Sequence, residues 1–545
     1  MKNPTKIAVV GGVAGSASAA AKARRMDESA EIHVFERGPY ISFANCGLPY
    51  FIAGEIESRD KLMVMTPEKF EERYRVHAHV NHEVLAINRA NKTIRVKGRD
   101  GVGRDEPYDK LILSQGAKPI VPPIPGATLP NVFTLRDLPD MDLIVNFLDE
   151  RKPKSAAIIG GGFIGLEMAE AFHRRGMRVA VIEKFQHVLP LLDDDMAAQL
   201  QNEVGREGFD VMTGVEARSL TVGGVELSNG QKIPAELILL SVGVKAEVEL
   251  ARAAGLEIGV TGGVKTNAHM QSSDPDIYAV GDAAETTHLI TGARTRIPLA
   301  GPANRQGRIA GANAAGGCLI YPGALGTSIV RVLRLTAGYT GLNSAQAAKA
   351  GYGFFTSMTR DYSHAYYYPG AKPVLIKIIA EEAGGRLLGA QVLGEVGVDK
   401  RTDVLATAIA ARMTVFDLEN LDLAYSPPFG SANDPVNTAG FVAAHVARGD
   451  VATVAPEHWK PNGEFLLDVR DADEVAALGK LKNAVNVPLG ELRGRLGELP
   501  RDRQILTYCQ KGQRGYIAAC VLKGNGFDKV ANLRGGFLQA RLNGF

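Results

Sequence analysis

The sequence is poor in cysteine and tryptophan and carries almost no net charge. Its 545 residues include four cysteines and one tryptophan, and its formal net charge is +2. The cysteines (Cys46, Cys318, Cys509 and Cys520) lack the paired spacing of a zinc site and are too few for a disulfide framework. Such usage favours a reducing, cytoplasmic compartment. A net charge this small gives no reason to expect a nucleic-acid or membrane partner.

Long apolar runs are also missing. The first apolar run, Ile7–Val10, is shorter than the apolar region of a signal peptide, and no run approaches the ~20 residues of a membrane span. We therefore expect neither a signal peptide nor a transmembrane helix. Hydrophobic residues make up 45% of the chain and charged residues 22%, which is typical of a soluble globular protein. The length suggests roughly three or four domains.

Glycine, in contrast, is abundant and follows an apolar strand near the N-terminus. The run Lys6–Val10 predicts a buried parallel strand, after which come Gly11, Gly12 and Gly15 and an alanine-rich helix. The next strand ends at Glu36, about 20 residues beyond the turn. This pattern predicts a dinucleotide site, with a pyrophosphate at the helix N-terminus and an acid for the ribose. The fingerprint is imperfect, because valine occupies its first glycine position, so a turn without a ligand is the alternative.

A second glycine turn matches the dinucleotide fingerprint fully. Gly160, Gly162 and Gly165 follow an apolar strand and open a helix, and the next strand ends at Glu183. An acid at that position accepts from the ribose 2′-hydroxyl and repels a 2′-phosphate, so the sequence favours NADH. Nearby lysines, Lys184 among them, leave NADPH possible.

A single cysteine, Cys46, lies among small and polar residues at 41–50, shortly after the first predicted dinucleotide unit. If that unit holds a flavin nucleotide, the thiol can lie near the flavin ring. A thiolate there can exchange electrons with the flavin and attack a sulfur–sulfur bond. The alternative is a small buried hydrophobic residue, which is how most free cysteines behave.

Two further blocks complete a family pattern. Residues 108–117 predict a strand with a polar end, and residues 273–282 predict a strand ending in Gly281 and Asp282. With the two turns, in this order, they resemble the flavoprotein disulfide reductases that bind two dinucleotides. The resemblance implies an α/β fold with two Rossmann-like domains of the glutathione reductase type. FAD would be held by residues 1–115 and 245–322, and NAD(P)H by residues 116–244. An α+β dimerisation domain would occupy residues 323–447 of a homodimer.

The same resemblance implies the cofactor contacts. For FAD they are Gly11, Gly12, Ala14, Gly15, Glu36, Arg37, Ser42, Asn45, Ser114, Gly116, Gly281, Asp282 and Ala300. For NAD(P)H they are Gly160, Gly162, Phe163, Ile164, Gly165, Glu183 and Gly243.

Most relatives in this family carry two cysteines in the redox loop, whereas this chain carries one. Ile41 and Phe51 stand where a partner thiol could be. A lone Cys46 cannot form an internal disulfide, so it must store oxidation as a mixed disulfide, a persulfide or a sulfenic acid. Residues 42–50 resemble coenzyme A-disulfide reductases more closely than the NADH oxidase and peroxidase branch.

Two tyrosine-rich blocks, residues 364–370 and 424–430, resemble motifs of the family's dimerisation domain. The resemblance implies that Tyr367 and Tyr425 reach the cysteine of the partner subunit. A phenol there can hydrogen-bond a departing thiolate or donate a proton to it. The alternative is that both are packing aromatics.

Resemblance also implies a coenzyme A pocket. Its residues would be Ser18, Lys22, Arg25, Ser42, Asn45, Asn304 and Arg305. Lys22 and Arg25 lie three apart on a helix, so they can face one phosphate or form a solvated charged face. The chain departs from the family at Tyr74 and Asn433, where relatives have lysines. Losing two cations should weaken the binding of a charged coenzyme.

The C-terminal segment, residues 455–545, predicts a separate small α/β domain. Cys509 lies between a predicted strand, 504–508, and a predicted helix, 515–523. Amide donors at the helix N-terminus, together with Lys511 and Arg514, should favour its thiolate. The segment resembles a rhodanese domain, which implies that Cys509 carries a persulfide with Arg514 in the catalytic loop and Lys511 near the substrate. Within the predicted helix, Cys520 is expected to be core.

Joined together, the two parts resemble coenzyme A-disulfide reductases fused to rhodanese. The resemblance implies an FAD-dependent enzyme that uses NAD(P)H to reduce persulfides, polysulfides or coenzyme A disulfide through Cys46, with no metal. Two alternatives stay open. One is a flavin NADH oxidase or peroxidase that cycles a cysteine sulfenic acid. The other is a redox sensor or sulfur carrier with little turnover.

Overall fold

A computed structural model describes residues 3–456 and 459–545. The chain forms two compact units. The first runs up to Val188 and resumes over Gly208–Gly326; the second comprises Leu189–Glu207 and Thr327–Phe545. The mixed α/β character expected from the sequence is confirmed.

The first unit contains a five-stranded parallel sheet built on the N-terminal strand. In spatial order its strands are Ile277–Ala279, Lys110–Leu113, Lys6–Val10, Glu31–Glu36 and Val76–Val80. Helices Ala14–Met26 and Ala300–Ala314 pack against each other, and the first begins slightly earlier than the sequence suggests. A continuous apolar core joins the sheet to the first helix. The strands of this sheet end at one edge. The ends of the two blocks at residues 108–117 and 273–282 come together at that edge.

A second parallel sheet in the same unit contains the second glycine turn. In spatial order its strands are Asp210–Thr213, Arg178–Glu183, Ser155–Ile159, Leu237–Leu240 and Val132–Phe133. The helices beside it are Leu138–Arg151 and Phe163–Arg174. The predicted order of strand, turn and helix, which the fingerprint requires, is therefore confirmed.

Smaller elements complete the first unit. One three-stranded antiparallel sheet consists of Glu83–Asn88, Thr93–Lys97 and Gly103–Pro107, and another consists of Ala217–Thr221, Gly224–Leu227 and Lys232–Pro234. Two antiparallel strand pairs are Ala117–Pro119 with Val244–Ala246 and Thr286–Thr287 with Arg294–Thr295. Its short helices are Leu48–Ile52, Pro67–Tyr74 and Glu249–Ala253, and its 3-10 turns are Asn45–Gly47, Arg59–Leu62 and Gly281–Ala283.

The second unit begins with an antiparallel sheet flanked by helices, as an α+β domain should be. In spatial order its strands are Ser328–Val332, Leu335–Gly341, Leu387–Gly394, Pro373–Glu381 and Phe354–Tyr362. Its helices are Asp194–Arg206, Ser344–Lys349, Val398–Ala410, Val415–Leu418 and Pro435–Arg448.

A parallel sheet at the C-terminal end of the chain has an apolar core on each face. In spatial order its strands are Ala452–Val454, Val530–Leu533, Ile505–Tyr508, Phe465–Asp468 and Val485–Asn486. Its helices are Ala472–Leu478, Leu489–Leu492, Gln513–Gly524 and Gly536–Leu542, with a 3-10 turn at Leu496–Glu498. Within the described part of the chain, no helix has the length and hydrophobicity to cross a bilayer.

Candidate functional site

The first glycine turn brings the backbone of two strand ends into close contact. Gly11 has φ +100°, and a Cβ there would lie 2.3 Å from the carbonyl oxygen of Ser114. Only glycine fits such an approach. The helix Ala14–Met26 then begins without a capping side chain and without an acid in its first turn. Its free N–H groups and positive dipole end can receive a pyrophosphate.

Polar groups around this turn suit a dinucleotide. Glu36 accepts a hydrogen bond from the Gly38 amide at 2.7 Å, and burial raises the pKa of its carboxyl. The side-chain amide of Gln115 is buried, and neither its oxygen nor its nitrogen has a hydrogen-bond partner among the described residues. Such orphaned groups beside an open helix N-terminus are what a polar ligand would satisfy. The residues present therefore fit FAD.

Residues 273–282, the second of the two further blocks, are joined by a hydrogen bond to the helix Ala300–Ala314. The Gly281 amide donates to Gln306 Oε1 at 2.7 Å, and Gln306 belongs to the helix that begins at Ala300. That helix also begins without a capping side chain. Burial raises the pKa of Asp282. Nearby, Arg37 donates to both carboxylate oxygens of Glu247 at 3.0 Å.

The second turn repeats the geometry of the first. Gly160 has φ +107°, and a Cβ there would lie 2.5 Å from the Ser241 carbonyl oxygen. The helix Phe163–Arg174 begins after Gly162 without a side-chain cap, and a Cβ on Gly162 would meet nothing within 4 Å. An open cradle of this kind fits a pyrophosphate.

Glu183 lies at the strand end beside this cradle. It is buried and accepts from the Gly161 amide at 2.7 Å and the Phe185 amide at 2.9 Å. The two amides hold the carboxylate in one orientation, which suits recognition of a ribose hydroxyl. Ile164 is exposed beside the turn, and Gly243 has φ +112° at a neighbouring strand end.

The redox loop, residues 41–50, is tied to the first turn. The Ser42 amide donates to the Gly12 carbonyl at 2.7 Å, and the Ala44 amide donates to the Leu62 carbonyl at 2.8 Å. Ser42 has φ +45°, a left-handed conformation that is uncommon for serine. Cys46 then lies in the 3-10 turn Asn45–Gly47 and is exposed. The loop therefore presents its thiol at a fixed position next to the proposed flavin site.

Glu167, to which no motif of the sequence points, acts on the pKa of this thiol. Partial burial raises the pKa of Cys46, and the charges of Glu167 and Asp282 raise it further. Tyr50, the last residue of the redox loop, donates its hydroxyl hydrogen to Glu167 at 3.0 Å. Glu167 belongs to the helix Phe163–Arg174, so a side chain of the second dinucleotide unit reaches the redox loop of the first. The only sequence feature that could have pointed to Glu167 is that it is an acidic residue near the start of that helix.

Of the residues proposed for coenzyme A, Ser42 and Asn45 lie in the redox loop, and the others lie on the two packed helices of the first unit. The Ser18 hydroxyl donates to Asn304 Oδ1 at 2.7 Å, which joins the two helices. Lys22 is half-buried, and Arg25 and Arg305 are exposed. Lys22 and Arg25 form no salt bridge with any described residue, so both charges are open to a ligand. At the positions that depart from the family, Tyr74 packs edge-on against Phe70 and Asn433 is exposed.

The two tyrosine blocks meet at the surface of the second unit. The hydroxyl groups of Tyr367 and Tyr425 are 3.2 Å apart, and this hydrogen bond raises the pKa of Tyr367. Both rings are exposed, at 64% and 48% of their surface. Tyr366 and Phe429 are exposed at 77% and 74%, so the blocks form one aromatic surface. The interpretation as packing aromatics is wrong for Tyr367 and Tyr425 within one chain.

Cys509 lies at the end of a strand, in a loop that leads into the helix Gln513–Gly524. It is buried, and its sulfur accepts from the Gly512 amide at 3.2 Å. The loop backs onto the helix Gly536–Leu542, because the Phe537 amide donates to the Cys509 carbonyl at 2.8 Å. One backbone amide thus donates directly to the sulfur.

One expectation for this domain is wrong. Cys520 is exposed, although the sequence suggested a core position. Its helix buries Ala519 and Val521, whereas Cys520 and Ile517 face away from the core. The helix is apolar on most sides, so its composition does not reveal which face packs. Cys318 is also exposed.

Comparison with known families covers nearly the whole chain. The family model described as pyridine nucleotide-disulphide oxidoreductase matches residues 5–307, and the dimerisation domain of the same family matches residues 327–434. A rhodanese-like domain matches residues 454–541.

Individual relatives agree with this division. A solved structure of reduced Bacillus anthracis CoADR-RHD is 45% identical, with a TM-score of 0.97 over 99% of this chain and 98% of its own. A NAD-dependent persulfide reductase from A. fulgidus is 36% identical, with a TM-score of 0.94 over 99% of this chain and 100% of its own. The CoA-dependent NAD(P)H sulfur oxidoreductase of Pyrococcus abyssi is 36% identical over 79% of this chain and 96% of its own.

Proposed function

Because the chain belongs to the pyridine nucleotide-disulphide oxidoreductase family and ends in a rhodanese-like domain, we propose that it reduces sulfur–sulfur bonds with NAD(P)H. Its substrates are persulfides, polysulfides or coenzyme A disulfide. FAD is the flavin cofactor, and the fused domain handles sulfane sulfur. We assign FAD to residues 1–115 and 245–322, NAD(P)H to 116–244, dimerisation to 323–447 and sulfur transfer to 455–545.

The observation that carries this proposal is the exposed, solitary thiol of Cys46 in a loop tied to the first dinucleotide turn. No other cysteine lies between it and Cys318 in the sequence, so the oxidised sulfur of Cys46 must bond to a sulfur of a guest molecule or to oxygen. Its exposure leaves room for that guest. A dithiol cycle within this loop is excluded by the sequence itself.

The chemistry at Cys46 follows from this. The thiolate attacks one sulfur of the substrate, the substrate's sulfur–sulfur bond breaks, and a new bond joins that sulfur to Cys46 while a thiolate leaves. The residues of the first glycine turn would hold FAD, which would supply the two electrons, taken from NAD(P)H, for the cleavage of this new bond. Cys46 thiolate is restored, and the captured group departs as a thiol or hydrosulfide.

Two details of specificity belong to the same proposal. Glu183, held by two amides, recognises the ribose hydroxyl of NADH and disfavours the extra phosphate of NADPH. Lys22 and Arg25 bind phosphates of coenzyme A, with Ser18 and Asn304 beside them. The absence of lysine at Tyr74 and Asn433 makes this binding weaker than in relatives that have both cations.

We also propose a homodimer in which Tyr367 and Tyr425 of one subunit serve Cys46 of the other. An exposed aromatic surface of this kind in a family dimerisation domain marks a protein–protein contact. The paired hydroxyl groups can donate a proton to the leaving thiolate. Cys509 accepts or supplies sulfane sulfur in the fused domain.

Steady-state kinetics on the purified holoenzyme test this function. NADH oxidation is followed side by side with coenzyme A disulfide, coenzyme A persulfide, polysulfide and oxygen. We expect turnover with at least one sulfur substrate to exceed turnover with oxygen. Stoichiometric oxygen or peroxide consumption that ignores added persulfide would instead identify an oxidase or peroxidase. Tight FAD binding without turnover on any substrate would identify a sensor or carrier.

A further inference from the structure

The loop that follows Cys509 carries two cations, and carboxylates pair with only one of them. Arg514 donates to both oxygens of Glu474, at 2.6 and 2.8 Å. Lys511 forms no salt bridge with any residue that the structure describes. Its Nζ lies instead 4.8 Å from the centre of the Tyr362 ring, which attracts an ammonium group through its aromatic face. The charge of Lys511 is therefore directed toward the antiparallel sheet of the second unit.

A second cation without a carboxylate, Arg360, lies on that sheet two residues before Tyr362. Since successive side chains of a strand point to opposite faces, these two side chains share one face. Arg360 is half-buried, and its guanidinium donates to the side-chain oxygen of Gln199. It has no salt bridge within the described part of the chain, and burial lowers its pKa. Taking a guanidinium out of water without a carboxylate costs free energy that a bound anion would offset.

Both cations line one small cavity within the second unit, between the antiparallel sheet and the C-terminal sheet domain. Its volume is about 10 Å³, which is close to the space that one water molecule needs. Leu375 and Gly535 are among its other lining residues, and apart from Arg360 and Lys511 no lining residue carries a charge. The cavity therefore concentrates positive charge in a space of the size of a single small ion.

Two carboxylates of the same junction are engaged by other cations. Lys377 donates to both oxygens of Asp195, at 2.7 and 2.8 Å, and lies 2.9 Å from Asp193. Asp195 also lies 3.6 Å from Arg534 of the C-terminal domain. Lys377 is buried together with Asp195, so these charges neutralise each other inside the junction. Both carboxylates are thus used, and neither pairs with a cation of the cavity.

We propose that Arg360 and Lys511 form a binding site for a small inorganic anion, of the size of a halide or hydrosulfide. A monovalent anion offsets the charge of the two side chains, whereas water in the same place does not. The size of the cavity favours such an ion over an oxyanion or an organic anion. Because Lys511 belongs to the Cys509 loop and Arg360 to the sheet, the bound anion holds the loop against the sheet.

Bromide gives a direct test, because its anomalous X-ray scattering identifies it in a crystal. Crystals of the full-length holoenzyme are soaked in sodium bromide, and sodium gluconate serves as the control. We expect a bromide peak within hydrogen-bond distance of both the Arg360 guanidinium and the Lys511 ammonium group. Bromide peaks on the surface of the protein with none in this cavity would overturn the inference.

Thermal unfolding in solution gives a second test. The apparent unfolding midpoint of the full-length holoenzyme is compared in sodium chloride and in sodium gluconate of equal concentration. An anion that binds only the folded protein should raise the midpoint in chloride by about 1–3 °C. Arg360→Gln and Lys511→Gln should lose this difference, and Arg360→Lys should keep part of it. The matched control is Arg386→Gln, which removes a cation paired with Glu381 and should keep the whole difference.

A third series replaces chloride with sodium hydrosulfide under nitrogen, with the same variants. A midpoint that rises at a lower concentration of hydrosulfide than of chloride would identify hydrosulfide as the preferred occupant, and the opposite order would identify a halide. Either order supports the site. The same chloride–gluconate difference in the wild type and in Arg360→Gln, or no difference in the wild type, would overturn the inference. Such results would leave the proposed reduction at Cys46 standing, because the site takes no part in that reaction.

Discussion

Cys46 and Cys509 have the same side chain in opposite surroundings. Cys46 is exposed in a loop, and two carboxylates and partial burial raise the pKa of its thiol. Cys509 is buried, and a backbone amide already donates to its sulfur. The Cys509 sulfur is thus contacted by an amide of its own loop, whereas carboxylates from other elements act on the Cys46 thiol. This division suits a thiol that receives electrons and a thiol that carries sulfur.

The substitution with the largest expected effect removes the thiol of Cys46. Cys46→Ser should lower NADH-dependent reduction of every sulfur substrate by about 10³-fold or more, because the nucleophile is gone. Bound FAD should be retained, as judged from the visible absorbance spectrum. Cys318→Ser, which removes another exposed thiol of the same unit, is the control and should keep full activity. Full activity in Cys46→Ser would end the assignment.

Removing the second thiol should separate the two halves. Cys509→Ser should abolish sulfur transfer while leaving the reduction of small disulfides at the wild-type rate, since Cys46 is intact. Thiocyanate-forming sulfur transfer and coenzyme A disulfide reduction are measured on the same preparation. Cys520→Ser, in the helix that follows, is the control. Equal loss of both activities would mean that the two thiols work as one site.

A smaller effect is expected from the tyrosine pair. Tyr425→Phe removes one hydroxyl of the pair that is 3.2 Å apart. Loss of a proton donor should reduce kcat for disulfide reduction by about 10- to 100-fold. Loading of Cys509 with sulfur should not change, because that sulfur has its own amide donor. Tyr366→Phe, on the same exposed surface, is the matched control. A loss of dimer in Tyr425→Phe, seen by light scattering, would assign the residue to packing instead.

The smallest expected effect sharpens the electrostatic contrast. The charge of Glu167 raises the pKa of Cys46, so Glu167→Gln should lower that pKa. The thiolate fraction then rises at a given pH, and the alkylation rate of Cys46 with iodoacetamide should reach half its maximum at lower pH. Glu57→Gln, at an exposed pair with Lys61, should leave the profile in place. If the pH of half-maximal alkylation stayed the same or rose in Glu167→Gln, the role of this carboxylate would be contradicted.

The glycine turns and the elements beside them could be predicted from the sequence because they depend only on short segments of the chain. The first turn departs from the glycine fingerprint, yet Gly11 and Gly160 have φ values of +100° and +107° and meet Ser114 and Ser241 in the same way. A turn between a buried strand and a helix has few other solutions, so the sequence predicts it even with valine in place of one glycine. The strand and helix on either side of Cys509 follow from the same reasoning.

Contacts between residues that lie far apart in the sequence could not be predicted from it. Glu167 lies far along the chain from Cys46, and no spacing rule joins them. The pairing of Arg514 with Glu474 offsets the positive charge that the sequence leads one to expect from Arg514, although both residues are plain in the sequence. The exposed face of Cys520 is a further case, because neighbouring positions on an apolar helix differ only in what packs against them.

The sequence alone determined the order of domains, the two dinucleotide turns and the presence of one thiol in the redox loop. Each depends on glycine conformation, hydrophobic periodicity or the identity of a side chain, all of which are properties of short segments. Only the tertiary structure decided which charges reach each sulfur. Those charges come from helices that chain folding brings together, and electrostatic interactions act through space rather than along the chain.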